Sequence, residues 1–427
     1  MALVRIDRAV KQAPVPAIVP SRALVPVPWW RVDIHRYRRR IARLRELRAH
    51  EARQHRAWQL QDVLANVTGS ELCQYGYSVG CRNAGRNVYT PKVIHVDDGP
   101  PASYLVKMLP GQSVEVYQEH SAVIADWMGG IRARLTLDSP GYLRIDVLKS
   151  DPLLETVDLP ALAMSGPEDL VFLGVDELGS IYRIRAVDLV HLAVQGATGS
   201  GKSIFVYCLI TQLLTMPAGE VLVAISDVSG LLPRPFVGTI HEPWQVSGTG
   251  DPVRHIDLLE VLVSEMDHRI ARLPERKDQV TLNSDTPLIT VILEEYPGLL
   301  RALDDGKRAG GAVERCRRLV GRLVSEGRKA GIRVAILCNR AEAAVMEAFT
   351  REQCVVRLSF RVSGGDSIEM LHPGYRAEAE AHATAPPGVA LLSGPGVPIA
   401  RIKSPYIDQG EGAYAAYWDV VVKLATR

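Results

Sequence analysis

Long apolar runs are absent from this chain of 427 residues. A membrane-spanning helix needs about 20 mostly apolar residues, and no segment of the sequence approaches that length. The first thirty residues are rich in proline and valine but lack the continuous apolar stretch of a signal peptide. We therefore expect a cytoplasmic protein, with any membrane contact peripheral at the inner face of the cell membrane or supplied by a membrane-protein partner.

Paired cysteines are also absent. The six cysteines are scattered, no two are at CxxC spacing, and no histidine cluster accompanies them. Most lie in apolar runs, such as the one that ends at Cys338, which favours buried free thiols over a metal site or a disulfide framework. Free thiols indicate a reducing compartment.

A strong net charge is lacking, because the formal charge is only +2. The charge is nevertheless uneven. Residues 1–60 contain fourteen Lys/Arg and four Asp/Glu, a balance of +10, so the remaining 367 residues sum to −8. The basic character belongs to an N-terminal arm.

The N-terminal arm has two parts. Residues 1–30 predict an extended tether, because repeated proline fixes φ and removes backbone donors. Residues 31–64 lack proline and glycine and place Ile41, Leu44 and Leu47 at helical spacing, which predicts a basic helix. This helix would either contact DNA phosphates or anionic lipid, or pack on its neighbour through the Ile/Leu stripe.

The remaining sequence divides where the pattern of predicted strands and helices changes. Residues 65–162 alternate short β-like runs, including SVEVY at 113–117, with a helical stretch, and predict a small α+β domain. In residues 163–427 apolar strands alternate with amphipathic helices, which predicts an α/β domain with a mostly parallel sheet. The predicted domains are thus 1–64, 65–162 and 163–427.

The clearest motif is a P-loop, G-x4-G-K-[ST], between an apolar strand and a helical run. Its glycines let backbone N–H groups surround phosphates, and the helix N-terminus adds partial positive charge. We expect Lys202 to reach the β- and γ-phosphates of ATP and the Ser203 hydroxyl to ligate Mg²⁺. The predicted nucleotide-binding residues are Gly196, Ala197, Thr198, Gly199, Ser200, Gly201, Lys202 and Ser203.

Two carboxylates, Glu294 and Glu295, end an apolar strand about ninety residues after the P-loop. The carboxyl ends of parallel strands face one crevice, so we expect these acids beside the nucleotide. Glu294 is assigned to the metal, and Glu295 to orienting or deprotonating the attacking water. The alternative is a pair of solvated acids at a strand end.

A third strand, residues 332–338, ends at Asn339, which is placed to sense the γ-phosphate. Before this strand, Arg328 and Lys329 end a helix with exposed cations. One of these cations would act on a neighbouring subunit's nucleotide as an arginine finger, or they would simply complement the helix dipole.

In this order the motifs resemble those of the FtsK/SpoIIIE family of DNA translocases. The similarity lies in the approach to the P-loop with His191 upstream, in SEMDHRIARL, LEEY and GRKAGIRVAILCNR, and in VVRLSFRVSGGDSIEML. It covers roughly 165–410 well and 88–160 weakly. The resemblance implies a RecA-like core, a hexameric ring around double-stranded DNA, ATP-driven stepping, and nucleotide roles for Lys202, Ser203, Glu294, Glu295, Asn339 and Arg328. The LEEYPGL segment resembles actinobacterial conjugative translocases of the TraB/TraSA type.

The sequence departs from the family pattern at several positions. Glu294 stands where Asp is usual, Asn339 replaces Gln, Ala341 replaces Pro, and the turn at 363–366 is one residue short and lacks a Lys. We also expect neither the winged-helix domain nor the membrane-spanning segment of many relatives. Glu294, Asn339 and the missing Lys favour, as an alternative, a nucleotide-binding scaffold with weak hydrolysis.

The sequence thus predicts an ATP-dependent duplex-DNA translocase in conjugative plasmid or integrative-element transfer, or in chromosome segregation at cell division. A protein-secretion ATPase is a second alternative. Predicted DNA contacts are the loop Arg301–Arg315, with Lys307 and Arg308, and the segment near Arg351. For each of them the favoured alternative is a solvated surface loop.

Overall fold

The computed structural model describes residues 4–6, 34–67, 90–161, 163–304, 311–341 and 346–425. The chain forms two compact units. The large unit comprises Met1–Ala9 and Leu153–Arg427, and the small unit comprises Val10–Pro152. The predicted nucleotide-binding residues all belong to the large unit.

Helices and strands alternate through most of the described chain. The helices are α1 (Ile34–Val67), α2 (Val114–Gln118), α3 (Ser121–Trp127), α4 (Lys202–Leu213), α5 (Val253–Ala271), α6 (Tyr296–Asp304), α7 (Ala312–Glu326), α8 (Ala348–Gln353), α9 (Gly365–Leu371), α10 (Arg376–His382) and α11 (Ala413–Leu424). The strands are β1 (Val4–Ile6), β2 (Lys92–Asp97), β3 (Ala102–Lys107), β4 (Arg132–Ser139), β5 (Tyr142–Leu148), β6 (Val157–Asp158), β7 (Leu170–Asp176), β8 (Ile181–Arg185), β9 (Leu192–Gln195), β10 (Val221–Asp227), β11 (Gln245–Ser247), β12 (Leu288–Glu294), β13 (Ile332–Cys338), β14 (Val356–Ser359), β15 (Val389–Gly394), β16 (Val397–Lys403) and β17 (Pro405–Tyr406). Short 3-10 helices lie at Pro152–Leu154, Ala186–Asp188, Arg234–Phe236 and Glu242–Trp244.

The small unit has an antiparallel sheet in the order β2-β3-β5-β4. Helix α1 joins its core by the last turns, where Leu60, Val63 and Leu64 are buried with residues of the sheet. Leu44 and Leu47 are instead about half exposed, so the second of the two predicted alternatives, packing through the Ile/Leu stripe, is wrong for these two residues. The apolar side chains that do pack lie at the end of the helix, in the core of the small unit.

One predicted strand of the small unit is also wrong. Residues 113–117 alternate apolar and polar side chains, but residues 114–117 lie in the short helix α2. Tyr117 on this helix is fully buried and donates its hydroxyl to Gln112. Five residues are too few for periodicity to separate helix from strand. In the helix, Tyr117 is buried in the core of the small unit.

The large unit is built on an eleven-stranded sheet in the order β1-β8-β7-β16-β15-β14-β9-β13-β12-β10-β11. From β14 to β11 all neighbouring strands are parallel, and the strands from β15 to β1 extend the sheet antiparallel. The core strands β12 and β13 are buried almost along their length, as continuous apolar runs in a sheet covered on both faces should be. The predicted α/β fold with a parallel sheet is confirmed.

Strand register brings the loops of the site together. Asp227 at the end of β10 pairs with Glu294 at the end of β12. Gln195 at the end of β9 pairs with both Cys338 and Ser359, the last residues of β13 and β14. The carboxyl ends of five parallel strands therefore meet at one edge of the sheet.

Four of the six cysteines, Cys208, Cys316, Cys338 and Cys354, are buried free thiols, as predicted. Cys73 and Cys81 lie outside the described residues. Within the described ranges, no helix combines the length and the apolar character needed to cross a bilayer.

Candidate functional site

The P-loop connects β9 to α4, as its motif predicts. Gly199 and Gly201 have φ values of 74° and 109°, in the region that favours glycine. A Cβ on Gly201 would lie 2.8 Å from the backbone nitrogen of Gly388, so a side chain there would also collide. The Gly388 N–H donates to the carbonyl of Ser200 at 2.8 Å, and the loop is thereby fastened to the segment before β15.

A cavity of about 540 Å³ opens beside this loop. The predicted site residues that line it are Ala197, Thr198, Gly199, Gly201, Lys202, Ser203, Glu294, Glu295 and Asn339. Ser200 is buried beneath the loop, and its Oγ has no hydrogen-bond partner among the described residues. The structure thus brings three separate sequence motifs to one cavity of the size that small-molecule ligands occupy.

Lys202, Asn339 and Glu295 form one hydrogen-bonded cluster. Lys202 Nζ donates to Asn339 Oδ1 at 3.0 Å, and Asn339 Nδ2 lies 3.0 Å from each carboxylate oxygen of Glu295. Lys202 Nζ is also 3.8 Å from Glu295 Oε2. The lysine is buried and the glutamate is 23% exposed, so the two opposite charges lie close together at the cavity wall.

The backbone of Glu295 is strained. Its φ is 54°, an uncommon value for a non-glycine residue, which costs about 1–3 kcal/mol and is typical of functional sites. Gly298 makes room for the side chain, because a Cβ there would lie 2.9 Å from Glu295 Cγ and 3.0 Å from Val228 Cγ2. The tip of β12 is therefore shaped to hold this carboxylate at the cavity.

Glu294 has a different environment from its neighbour. Burial is the main reason that the pKa of its carboxyl is raised to about 7. The positive charge of Lys202 opposes this rise, and the negative charges of Asp227 and Glu295 add to it. Its Oε2 is buried without a hydrogen-bond partner in the described chain. A buried polar atom normally has a partner, so this oxygen has unused capacity to accept a bond or bind a cation.

These residues fit an Mg²⁺ ion that is held mainly by a nucleotide. Among the described side chains, no three His, Cys, Asp or Glu come together as a metal site. Mg²⁺ at nucleotide sites usually takes one or two protein oxygens and completes its shell with phosphates and water. The unpartnered Glu294 oxygen and the exposed Ser203 hydroxyl supply oxygens of that kind in the same cavity.

Arg328 is not among the cavity-lining residues. It follows α7 and precedes β13, at the amino edge of the parallel strands, and its side chain is exposed. The phosphate loop lies at the carboxyl edge, so Arg328 does not reach the nucleotide cavity of its own chain. Its role as an arginine finger remains a prediction about a neighbouring subunit.

The predicted DNA-contact residues are only partly described. Lys307 and Arg308 lie outside the described residues. Arg301 belongs to α6, is 72% exposed, and lies 3.6 Å from Glu295 Oε1; an ion pair so exposed contributes little. Arg351 is half-buried and donates to the carbonyl of Met346 at 3.0 Å, which gives it a structural role within α8.

Sequence reasoning missed a buried polar network beneath the P-loop. Gln195 Nε2 donates to Ser359 Oγ at 2.7 Å, and Gln195 Oε1 accepts from the Ala341 N–H at 2.9 Å and from Ser367 Oγ at 2.8 Å. The Ala341 contact fixes the turn that follows Asn339. Gln195 directly precedes the P-loop, and a polar residue at the end of an apolar strand was the available signal.

Asp227 and Lys403 were missed as well. Asp227 is fully buried at the end of β10 and accepts hydrogen bonds from the backbone of Ser229 and Leu232, so it shapes the cavity loop that carries Ser229. Lys403 ends β16, about two hundred residues after the P-loop, and lines the cavity. No local motif marks it.

His191 has a structural position. It is buried with φ 45°, and its Nδ1 accepts from the Val334 N–H at 3.2 Å. Burial, with the nearby Arg333 charge, lowers its pKa to about 3, so the ring is neutral and serves as an acceptor. It aligns the starts of β9 and β13 and thereby positions the P-loop from beneath.

Residues 163–283 match the FtsK/SpoIIIE family model. The chain contains an FtsK/SpoIIIE family domain. This match covers the P-loop, and the family resemblance predicted from the sequence is confirmed.

Curated relatives of this chain carry the name DNA translocase FtsK. The relative from Corynebacterium efficiens is 25% identical over 296 residues, which cover 65% of this chain and 31% of the relative. The one from Leptospira interrogans is 24% identical over 375 residues, which cover 82% of this chain and 36% of the relative. The chain spans about a third of the length of these relatives.

A solved structure of similar fold is the conjugation coupling protein TcpA of pCW3, in its monomer form with ATPγS. The match has a TM-score of 0.53 at 16% identity and covers 86% of this chain and 99% of that chain. The similarity establishes the P-loop ATPase fold. The cytoplasmic domain of the type VII secretion ATPase EccC from Thermomonospora curvata matches less well, with a TM-score of 0.47.

Proposed function

We propose that this protein is an ATP-dependent motor that translocates double-stranded DNA. The observation that carries the proposal is the cluster of Lys202, Asn339 and Glu295 at the mouth of the P-loop. A phosphate-binding lysine, a polar sensor and a carboxylate in contact with each other are the parts that a phosphoryl-transfer site requires.

The residues of the cavity have distinct roles in ATP hydrolysis. Lys202 would neutralise charge on the β- and γ-phosphates, and the N–H groups of the P-loop would bind their oxygens. Glu295 would orient the attacking water and accept its proton. Asn339 would hold the carboxylate until a γ-phosphate offers its amide a second acceptor. Ser203 and Glu294 would hold Mg²⁺, which neutralises charge on the phosphate oxygens.

Duplex DNA is the proposed cargo for two reasons. The curated relatives are named DNA translocases, and the N-terminal arm carries a local charge of +10. Clustered cations bind phosphate backbones by releasing counterions, without reading sequence. Helix α1 leaves Leu44 and Leu47 exposed along its basic stretch, which supports contact with a partner along this part of the helix.

A hexameric ring in conjugative transfer is the proposed setting. The similarity in fold to a conjugation coupling protein supports transfer between cells. Chromosome segregation at cell division is the close variant of this proposal. Arg328 is exposed at the sheet edge away from its own cavity, so a ring would be needed to bring it to a nucleotide. The arm would make any peripheral membrane contact.

Triplex displacement on linear duplex DNA tests the proposal directly. We expect the protein to strip a bound third strand in the presence of MgATP but not with a non-hydrolysable analogue, and negative-stain images with the analogue and DNA to show rings. Turnover with no displacement and no DNA response would favour a protein-secretion ATPase. Nucleotide binding without turnover would favour a scaffold.

A further inference from the structure

The cavity contains a second lysine that no motif marks. Lys403 is the last residue of β16, lines the cavity and is only 8% exposed. Its Nζ donates to the carbonyl oxygen of Pro387 at 2.9 Å. A buried ammonium group loses its hydration and is retained where other groups or a ligand compensate the charge.

A single glycine separates this lysine from the P-loop. A Cβ on Gly388 would lie 3.3 Å from Lys403 Cε and 3.4 Å from its Nζ, and a Cβ on Gly201 would lie 2.8 Å from the nitrogen of Gly388. Gly388 also donates to Ser200 O and accepts from the Ser404 N–H, each at 2.8 Å. The lysine is therefore fixed beside the phosphate loop by backbone bonds.

The two lysines of the cavity belong to different groups of residues. Lys202 contacts Asn339 and Glu295, the residues proposed to act at the γ-phosphate. Lys403 contacts Pro387, and its neighbours Ser404, Pro405 and Tyr406 line the cavity. Ile204, in the first turn of α4, lines the cavity too.

We infer that Lys403 binds the α-phosphate of the nucleotide, a contact common to nucleoside mono-, di- and triphosphates. A P-loop surrounds the α- and β-phosphates with backbone N–H groups while its own lysine reaches towards the γ end. An ammonium group has three donor hydrogens, so Lys403 keeps its bond to Pro387 and still donates to a phosphate oxygen. This inference rests on the proposed function, since it requires ATP in this cavity.

A competition experiment distinguishes a contact of Lys403 with the α-phosphate from a contact of Lys202 with the β- and γ-phosphates. MgATP, MgADP, AMP and adenosine would each be titrated against a bound fluorescent ADP analogue, which gives the affinity of each ligand. Lys403→Gln can still donate to Pro387 but lacks the charge, and Lys403→Met retains alkyl packing on Gly388. Lys423→Gln, on the exposed face of α11, is the matched control, and thermal unfolding checks the fold of each variant.

We expect both Lys403 variants to weaken MgATP, MgADP and AMP by the same factor, roughly tenfold for one charge-assisted hydrogen bond, with adenosine and the Lys423 control unchanged. Lys202→Ala should weaken MgATP and MgADP but not AMP. Folded Lys403 variants that bind all four ligands within twofold of the wild type, or that weaken adenosine as much as AMP, would overturn the inference alone. A wild-type protein that binds none of them would overturn the proposed function as well.

Discussion

Asn339 Nδ2 lies 3.0 Å from both carboxylate oxygens of Glu295, and so joins the tips of β13 and β12. Its Oδ1 meanwhile accepts from Lys202. One amide therefore binds both Lys202, the proposed phosphate-binding residue, and Glu295, the proposed base. A γ-phosphate that drew the amide nitrogen away would free the carboxylate for water, which links nucleotide occupancy to catalysis through a single side chain.

Glu295→Gln should abolish hydrolysis while preserving nucleotide binding. The amide is nearly isosteric with the carboxylate but cannot accept a proton from water, and general bases typically contribute 100-fold or more. We expect turnover to fall by roughly 100-fold at saturating MgATP, measured as phosphate release. Glu275→Gln, at an exposed position before β12, should keep the wild-type rate. A Glu295 variant with normal turnover would remove the assigned base.

Asn339→Leu should lower turnover by roughly tenfold or more, because it removes the amide that fixes the positions of the Glu295 and Lys202 side chains. Asn339→Gln keeps an amide on a longer side chain and should retain more of the rate than the leucine variant. Phosphate release at saturating MgATP measures both. Equal rates in the two variants would show that the amide itself is not used.

Gly298→Ala should reduce turnover without loss of binding. The added Cβ would lie 2.9 Å from Glu295 Cγ, so the carboxylate must shift, and small displacements of a catalytic group cost roughly tenfold to hundredfold in rate. Gly321→Ala is a matched control in α7, where an added Cβ meets nothing within 4 Å and should stabilise the helix by about 0.5–1 kcal/mol. If both variants turn over at the wild-type rate, Glu295 is not confined as described.

Glu294→Gln should stabilise the nucleotide-free protein at alkaline pH. The folded-state pKa of Glu294 is about 7, above its ordinary value of 4.5. Between those values the unfolded chain releases the proton and the folded chain retains it, so the free energy of unfolding falls as pH rises. The glutamine amide does not titrate, so the variant does not lose stability in this way as the pH rises.

The expected gain in the free energy of unfolding is about 1–3 kcal/mol at pH 8 and much less near pH 5. Urea unfolding, followed through the transition of the large unit, measures this gain. Hydrolysis in the same variant should fall at limiting Mg²⁺. Equal stability of wild type and variant at pH 8 would show that the carboxyl is not desolvated.

Much of the large unit could be predicted from sequence because its signals are local. Apolar runs without alternation marked β12 and β13, and the P-loop motif fixed the turn between β9 and α4. Parallel strands necessarily place their carboxyl ends together, so the meeting of Lys202, Glu295 and Asn339 followed from topology.

The features that were missed depend on contacts between distant segments. Lys403 and Gly388 reach the P-loop only because antiparallel strands extend the sheet beyond β14. Residues 113–117 were predicted as a strand because their alternation is real, but residues 114–117 lie in α2, on which Tyr117 is buried. The difference between the two glutamates was also not visible in sequence, since the rise in the pKa of Glu294 comes mainly from its burial in the folded chain.

We propose above all that the Lys202–Asn339–Glu295 cluster hydrolyses ATP and that duplex DNA stimulates this hydrolysis. The most direct measurement is steady-state phosphate release by the full chain with MgATP, with and without linear double-stranded DNA, for the wild type and Glu295→Gln. We expect DNA to raise wild-type turnover at least severalfold and to leave the variant inactive. Wild-type turnover that is indifferent to DNA, or a variant that still responds to it, would contradict the account.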